Sequence, residues 1–333
     1  MSDSDRLLSL LRKGSSGRTL LSEHLSKGDV AGHQFHGNQW SGGSGSAPAD
    51  GSSRGLKAGD PGKNVAVKTF NGSDMKVGEH SLADHLVADG KGGWKLDGEA
   101  QQRLGERIAA ATANVPKSSD PTLHMLGGGP ASGKSTITED PRYGIPTTGD
   151  HSTARQAVLV NSDEEKGANP TYQRMLAAGD PRAAAFCHEE SSYFAKQIQA
   201  AAMKNSQDVV LDGTGNSKLA SVVGKIDAAH DAGYKVNASY VTCPTDEAVS
   251  RAAGRAEQTG RVVPESTIRS THASVSRIVP EIASRFDSFK LVDTTPGGKD
   301  SGKVIAETTL GKPLTVTSPS AYQTFLDKGK ETT

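Results

Sequence analysis

The chain reads as an α/β protein, a three-layer sandwich with helices on both faces of a mainly parallel sheet, and three observations predict it. Short apolar runs recur at 123–127, 156–160, 208–212, 235–242 and 288–293 with little polar alternation, as in strands buried on both faces. Helix-spaced segments separate these runs, so strand and helix alternate along the chain. The first run enters a glycine-rich turn that opens a helix, the arrangement in which open α/β sheets bind phosphate.

The first 63 of 333 residues differ from the rest. Beyond a short amphipathic piece at 6–11 they are Gly/Ser-rich, and they bury too little apolar surface to offset chain entropy. Residues 1–63 are therefore expected to form a disordered arm. Within it lies Gly32-His33-Gln34-Phe35-His36-Gly37-Asn38-Gln39-Trp40. His33 and His36 lack further ligands at metal spacing, and Phe35 with Trp40 better fits a short interaction motif.

Order is expected from about Asn64. Residues 64–118 form a partly helical lead-in, with helices at 81–88 and 97–111, the latter carrying Leu104 and Ile108. Val115-Pro116 then breaks the chain. In the main domain, 119–330, helices are expected at 183–204, 218–232, 246–258, 265–286 and 320–328. Short strands are expected at 303–307 and 314–316.

Hydrophobic residues make up 34% of the chain, and Lys+Arg and Asp+Glu are both 38. The formal charge of zero calls for neither nucleic acid nor an anionic membrane as an obligatory partner. No apolar run has the length of a signal peptide or a membrane span. Cys187 and Cys243 stand far apart in no metal or redox spacing, as expected of reduced thiols in the cytoplasm.

The glycine-rich turn is Gly128-Gly129-Pro130-Ala131-Ser132-Gly133-Lys134-Ser135, followed by Thr136. This is a full G-x-x-x-x-G-K-S phosphate loop. Glycines let backbone N–H groups surround phosphate oxygens. Lys134 is placed to bridge the terminal phosphates of a nucleoside triphosphate, and the Ser135 hydroxyl to ligate the Mg²⁺ that travels with it.

Phosphoryl transfer then needs charged groups at the strand ends. Asp163 follows the second strand and reads either as a general base or as the N-cap of the next helix. Asp212 closes the third strand, where an acid reaches the metal through water or the substrate directly, and Thr214 follows it. Glu189 and Glu190 are adjacent on a helix, so only one of them faces a cleft. Arg251 and Arg255 share a helix face, and with Arg261 they form a helical lid suited to stabilising charge on a transferring phosphoryl group.

In this order, GGGPASGKST, VLVNSDEEKGANPTYQRML, AFCHEESSYFAKQIQAAA, VVLDGTGN and RAAGRAEQTGRVVPES resemble the zeta-toxin family of P-loop kinases, particularly phage-encoded forms. The resemblance spans roughly 82–328 and implies a kinase using ATP-Mg²⁺ on a hydroxyl of UDP-N-acetylglucosamine. It implies that Asp163 is the base, that Lys134 and Arg261 hold the transferring phosphate, and that Glu190 or Glu189 with Thr214 lines the substrate side. An antitoxin is the implied partner. The GHQFHGNQW string resembles segments of phage head-associated proteins, which adds a phage structural protein as partner and virion association as a location. Pro141, Gly144 and Pro146 cut short the helix after the phosphate loop, a departure from the family pattern. The competing readings are a kinase of nucleotides or modified bases, and an ATP-binding virion or assembly protein with little catalysis.

Overall fold

The computed structural model describes residues 80–330, except 89–93, 139, 147, 149–154, 179–182, 216–217, 260–262 and 264, together with four short strands before residue 80. In chain order these strands are β1 Gln34–His36, β2 Gln39–Ser41, β3 Ala66–Lys68 and β4 Asp74–Lys76. β1 and β2 pair antiparallel with Phe35 opposite Trp40, and β3 pairs antiparallel with β4. The rest of the expected arm lies outside the described residues.

From residue 80 the elements are α1 Ser81–Asp84, β5 Leu86–Ala88, β6 Trp94–Leu96 and α2 Gly98–Thr112. β7 Thr122–Gly127 leads into α3 Lys134–Thr138, and β8 Val158–Val160 into α4 Ser162–Gly167 and α5 Pro170–Ala177. α6 Ala183–Phe186 and α7 His188–Lys204 precede β9 Val209–Asp212, α8 Leu219–Asp231 and β10 Lys235–Thr242. α9 Thr245–Thr259, α10 Glu265–Ile282, β11 Ser288–Asp293, β12 Lys303–Thr309, β13 Thr315–Val316 and α11 Pro319–Lys328 follow.

These elements fall into two compact units. The first comprises Met1–Ala113, Val160–Ala201 and Thr259–Arg261. Its core packs Leu82, Leu86, Leu96 and Ala100 against Phe194 of α7. Asp97 caps α2 by accepting from the Ala100 amide at 2.8 Å, satisfying an amide the first turn leaves open. Arg107 of α2 makes a two-point ion pair with the buried Glu165 of α4, at 2.9 and 2.8 Å. The helix expected over 81–88 stops at Asp84. Leu82 and Leu86 have helical spacing, but Leu86 reaches the core from β5, opposite Leu96 of β6. The helix expected over 183–204 is broken at Cys187 into α6 and α7.

The second unit comprises Asn114–Leu159, Ala202–Gln258 and Val262–Thr333. It is built on a seven-stranded sheet in the order β13-β12-β11-β10-β7-β9-β8. β11, β10, β7 and β9 run parallel, while β12 and β13 add antiparallel at one edge. The central strand β7 is buried from Leu123 onward. α8 buries Val222, Ile226 and Ala229, and α10 buries Ile268, Val275, Val279 and Ile282. Tyr240, Phe286 and Phe289 form an aromatic cluster with ring centroids 5.6–6.4 Å apart.

Candidate functional site

The parallel strands of the second unit bring their carboxyl ends together, and the phosphate loop rises from the end of β7. Its backbone takes positive φ at Gly128 (136°), Ala131 (56°) and Gly133 (87°). Alternating hands of this kind turn amides towards one side and form an anion-binding concavity. α3 is only five residues long, as the Pro/Gly interruptions predict. A 3₁₀ turn at Pro141–Tyr143 follows, capped by Asp140.

Two of the glycines answer to packing as well as to phosphate. A Cβ on Gly127 would lie 2.3 Å from the Tyr240 ring, and one on Gly129 would lie 2.1 Å from the His272 ring. At Gly129 the space a side chain would take is filled by the His272 imidazole.

The loop is held from outside by side chains the sequence reading missed. His272 of α10 donates from Nε2 to the Pro130 carbonyl at 3.0 Å. Burial and the Lys328 charge push the His272 imidazole down to about 4, so it stays neutral and keeps the tautomer this bond needs. The Thr294 hydroxyl lies 2.6 Å from the Ser132 carbonyl and 3.0 Å from that of Thr242. Lys328 of α11, buried, donates to the Thr242 hydroxyl and to the Cys243 carbonyl. None of these residues lies in a recognisable motif. Their only signal is position, just past a strand end or on a buried helix face.

Of the expected site residues, Lys134 opens α3 and reaches back to the Gly128 carbonyl at 3.3 Å. Ser135 and Thr136 are exposed on the same turn. Asp212 ends β9 directly beside Leu126 of β7, and the Thr214 carbonyl accepts from the Gly128 amide at 3.0 Å. The structure thus brings Asp212 and Thr214 to the phosphate loop. Arg251 of α9 pairs with Glu247 at 2.8 Å and donates to the Thr294 carbonyl at 2.6 Å, with its other nitrogen 3.5 Å from the Ala131 carbonyl. Its guanidinium braces the loop's outer side. Arg255 lies one turn further along α9, half-buried, and Arg261 lies outside the described residues.

Asp163, Glu189 and Glu190 belong to the first unit. Asp163 is not the cap of α4. Asn161 takes that place, accepting from the Asp163 amide at 2.8 Å. This leaves the Asp163 carboxylate 52% exposed and 3.0 Å from Lys166 Nζ. Glu190 is buried with Arg103 Nη2 2.8 Å away, whereas Glu189 is half-buried. Burial lowers the neighbouring His188, with the Lys166 charge adding to the effect. Among the described residues no cluster of His, Cys, Asp and Glu is arranged to hold a metal by itself, and no helix is long and apolar enough to cross a membrane.

A phosphate loop at the carboxyl end of the central parallel strand, with an acid ending the adjacent strand, defines a P-loop nucleotide-binding protein of the kinase type. Residues 105–301 match the zeta-toxin family model, and the chain belongs to that family of ATP-using P-loop kinases. Among solved structures, the chain is similar to AvrRxo1-ORF1:AvrRxo1-ORF2 with ATP, at 17% identity and a TM-score of 0.52, over 70% of this chain and 73% of that one. It is also similar to a structure from the PezAT chromosomal toxin–antitoxin system of the human pathogen Streptococcus pneumoniae, at 12% identity and a TM-score of 0.51, over 71% and 95%. At these identities the likeness shows the fold. No curated protein sequence matches the chain.

Proposed function

We propose that this protein is an ATP-dependent kinase that phosphorylates a hydroxyl of a small molecule, a sugar nucleotide of the UDP-N-acetylglucosamine type, as a toxin-like activity restrained by an antitoxin partner. The observation that carries the reading is the phosphate loop with Asp212 and Thr214 beside it at the ends of parallel strands. Family membership supports phosphotransfer, and the GHQFHGNQW segment supports a phage-encoded origin. The reading keeps 119–330 as the kinase domain, 64–118 as its lead-in and 1–63 as an arm.

The residues present fit a magnesium nucleotide. The Ser135 hydroxyl is exposed at the head of α3, Asp212 ends the next strand, and the Ala131 and Gly133 amides donate to no other described residue. Ser135 and Asp212 would hold the metal, which when bound screens phosphate charge. Lys134 binds the terminal phosphates, and Arg255 and Arg261 offset charge on the transferring group. Arg251 contributes through the loop it braces. Asp163 takes the proton of the attacking hydroxyl, while Glu190 or Glu189 and Thr214 orient the acceptor.

The test is ADP release with and without UDP-N-acetylglucosamine, for the wild type, Lys134→Ala and Asp163→Asn. Acceptor-dependent release that both substitutions reduce at least a hundredfold supports the reading. Release without acceptor dependence rules out this sugar nucleotide. ATP binding with no turnover in the presence of any acceptor overturns the kinase reading.

A further inference from the structure

Two side chains far from the phosphate loop in sequence bond to its carbonyls. We propose that His272 and Thr294 are positioning residues of the nucleotide site, holding the Pro130 and Ser132 carbonyls on the loop's outer side so that the Ala131 and Gly133 amides face the phosphates. The proposal rests on the reading of this loop as the nucleotide site.

A trans peptide is planar, and its C=O and N–H point in opposite directions. The Pro130 carbonyl shares a peptide with the Ala131 amide, and the Ser132 carbonyl with the Gly133 amide. His272 Nε2 fixes the first at 3.0 Å and Thr294 Oγ1 fixes the second at 2.6 Å. The amide between them, Ser132, turns back to the Gly129 carbonyl at 3.2 Å. Ala131 and Gly133 are thus among the loop amides left available, and the carbonyls that share their peptides are both held.

Both holding residues are themselves fixed. His272 is 2% exposed, and its ring fills the space beside Gly129. The Thr294 amide donates to the Thr242 carbonyl at 2.8 Å, and its own carbonyl accepts from Arg251 at 2.6 Å. The hold opposes a real tendency, because Ala131 sits at a positive φ that an alanine leaves when free to do so.

The experiment titrates the full chain with a non-hydrolysable ATP analogue and magnesium, by calorimetry. Thr294→Val keeps the shape and removes the hydroxyl, and Thr294→Ser restores it. His272→Phe fills the space without a donor, and His272→Gln returns an N–H. We expect the Val and Phe variants to bind about tenfold more weakly or worse, with Ser and Gln recovering most of the loss. A variant that fails to fold is replaced as evidence by amide exchange on the wild type, where Ala131 and Gly133 slow on adding the analogue and Ser132 does not. A folded Thr294→Val that binds like the wild type overturns the proposal, as does unchanged exchange at Ala131 and Gly133 under saturating analogue. A wild type that binds no analogue overturns the nucleotide reading, and this proposal with it.

Discussion

His124 and His272 show how burial decides the behaviour of a residue type normally associated with neutral pH. His124 is buried on β7 with the Ser239 hydroxyl 3.1 Å from Nε2, and burial pushes its imidazole down to about 4, as it does for His272. In the unfolded chain each takes a proton near 6.5. Between those values the unfolded state binds more protons, so stability falls as pH drops from about 6.5 to about 4, then levels off for these two groups. The loss reaches about 3 kcal/mol per histidine. Urea unfolding at pH 7, 5.5 and 4.5 reads it directly, and His124→Asn should flatten part of the slope. A free energy independent of pH across this window would contradict the burial of both rings.

Among the elements, glycines in two helices and in the phosphate loop have different freedoms. Gly105 in α2 and Gly224 in α8 are exposed, and a Cβ at either meets nothing within 4 Å. Replacing both with alanine should raise stability by about 0.5–1 kcal/mol each, through lost freedom in the unfolded chain, with additive gains in thermal midpoint. The same change at Gly129 must displace the His272 ring and should lower the midpoint. This contrast also marks what was legible in advance. β10 and β11 were readable to the residue, because each gathers branched and aromatic residues into a short run between helical segments. The phosphate loop was readable because its spacing is dictated by the anion. Leu86 is ambiguous in the sequence, since one i, i+4 pair of leucines satisfies either a helix or a turn into a strand. Asp163 suits a cap by residue type, but Asn161, two residues earlier, occupies that role. Thr294 and His272 were invisible because their meaning lies in a carbonyl more than a hundred residues away.

For the whole molecule, ligand binding should report on the sheet as well as the loop. ATP with magnesium binds only the folded state, so at a concentration a hundredfold above Kd it should add about 2.7 kcal/mol of stability. Differential scanning fluorimetry should show the midpoint rising with nucleotide for the wild type and far less for Lys134→Ala. An equal rise in both would place the nucleotide elsewhere on the chain.

Thr294 stands 162 residues beyond Ser132, and His272 stands 142 beyond Pro130. A chain emerging from the ribosome therefore displays the glycine-rich turn long before either side chain that shapes it has been made. Until β11 docks on β10 and α10 folds over the strand ends, the turn is an ordinary flexible peptide without a fixed arrangement of amides. The most local sequence signature in the protein thus acquires its structure late, after distant parts of the chain have met. Nucleotide competence arrives with the closing of the sheet, and a nascent or truncated chain carrying the full signature would hold ATP poorly.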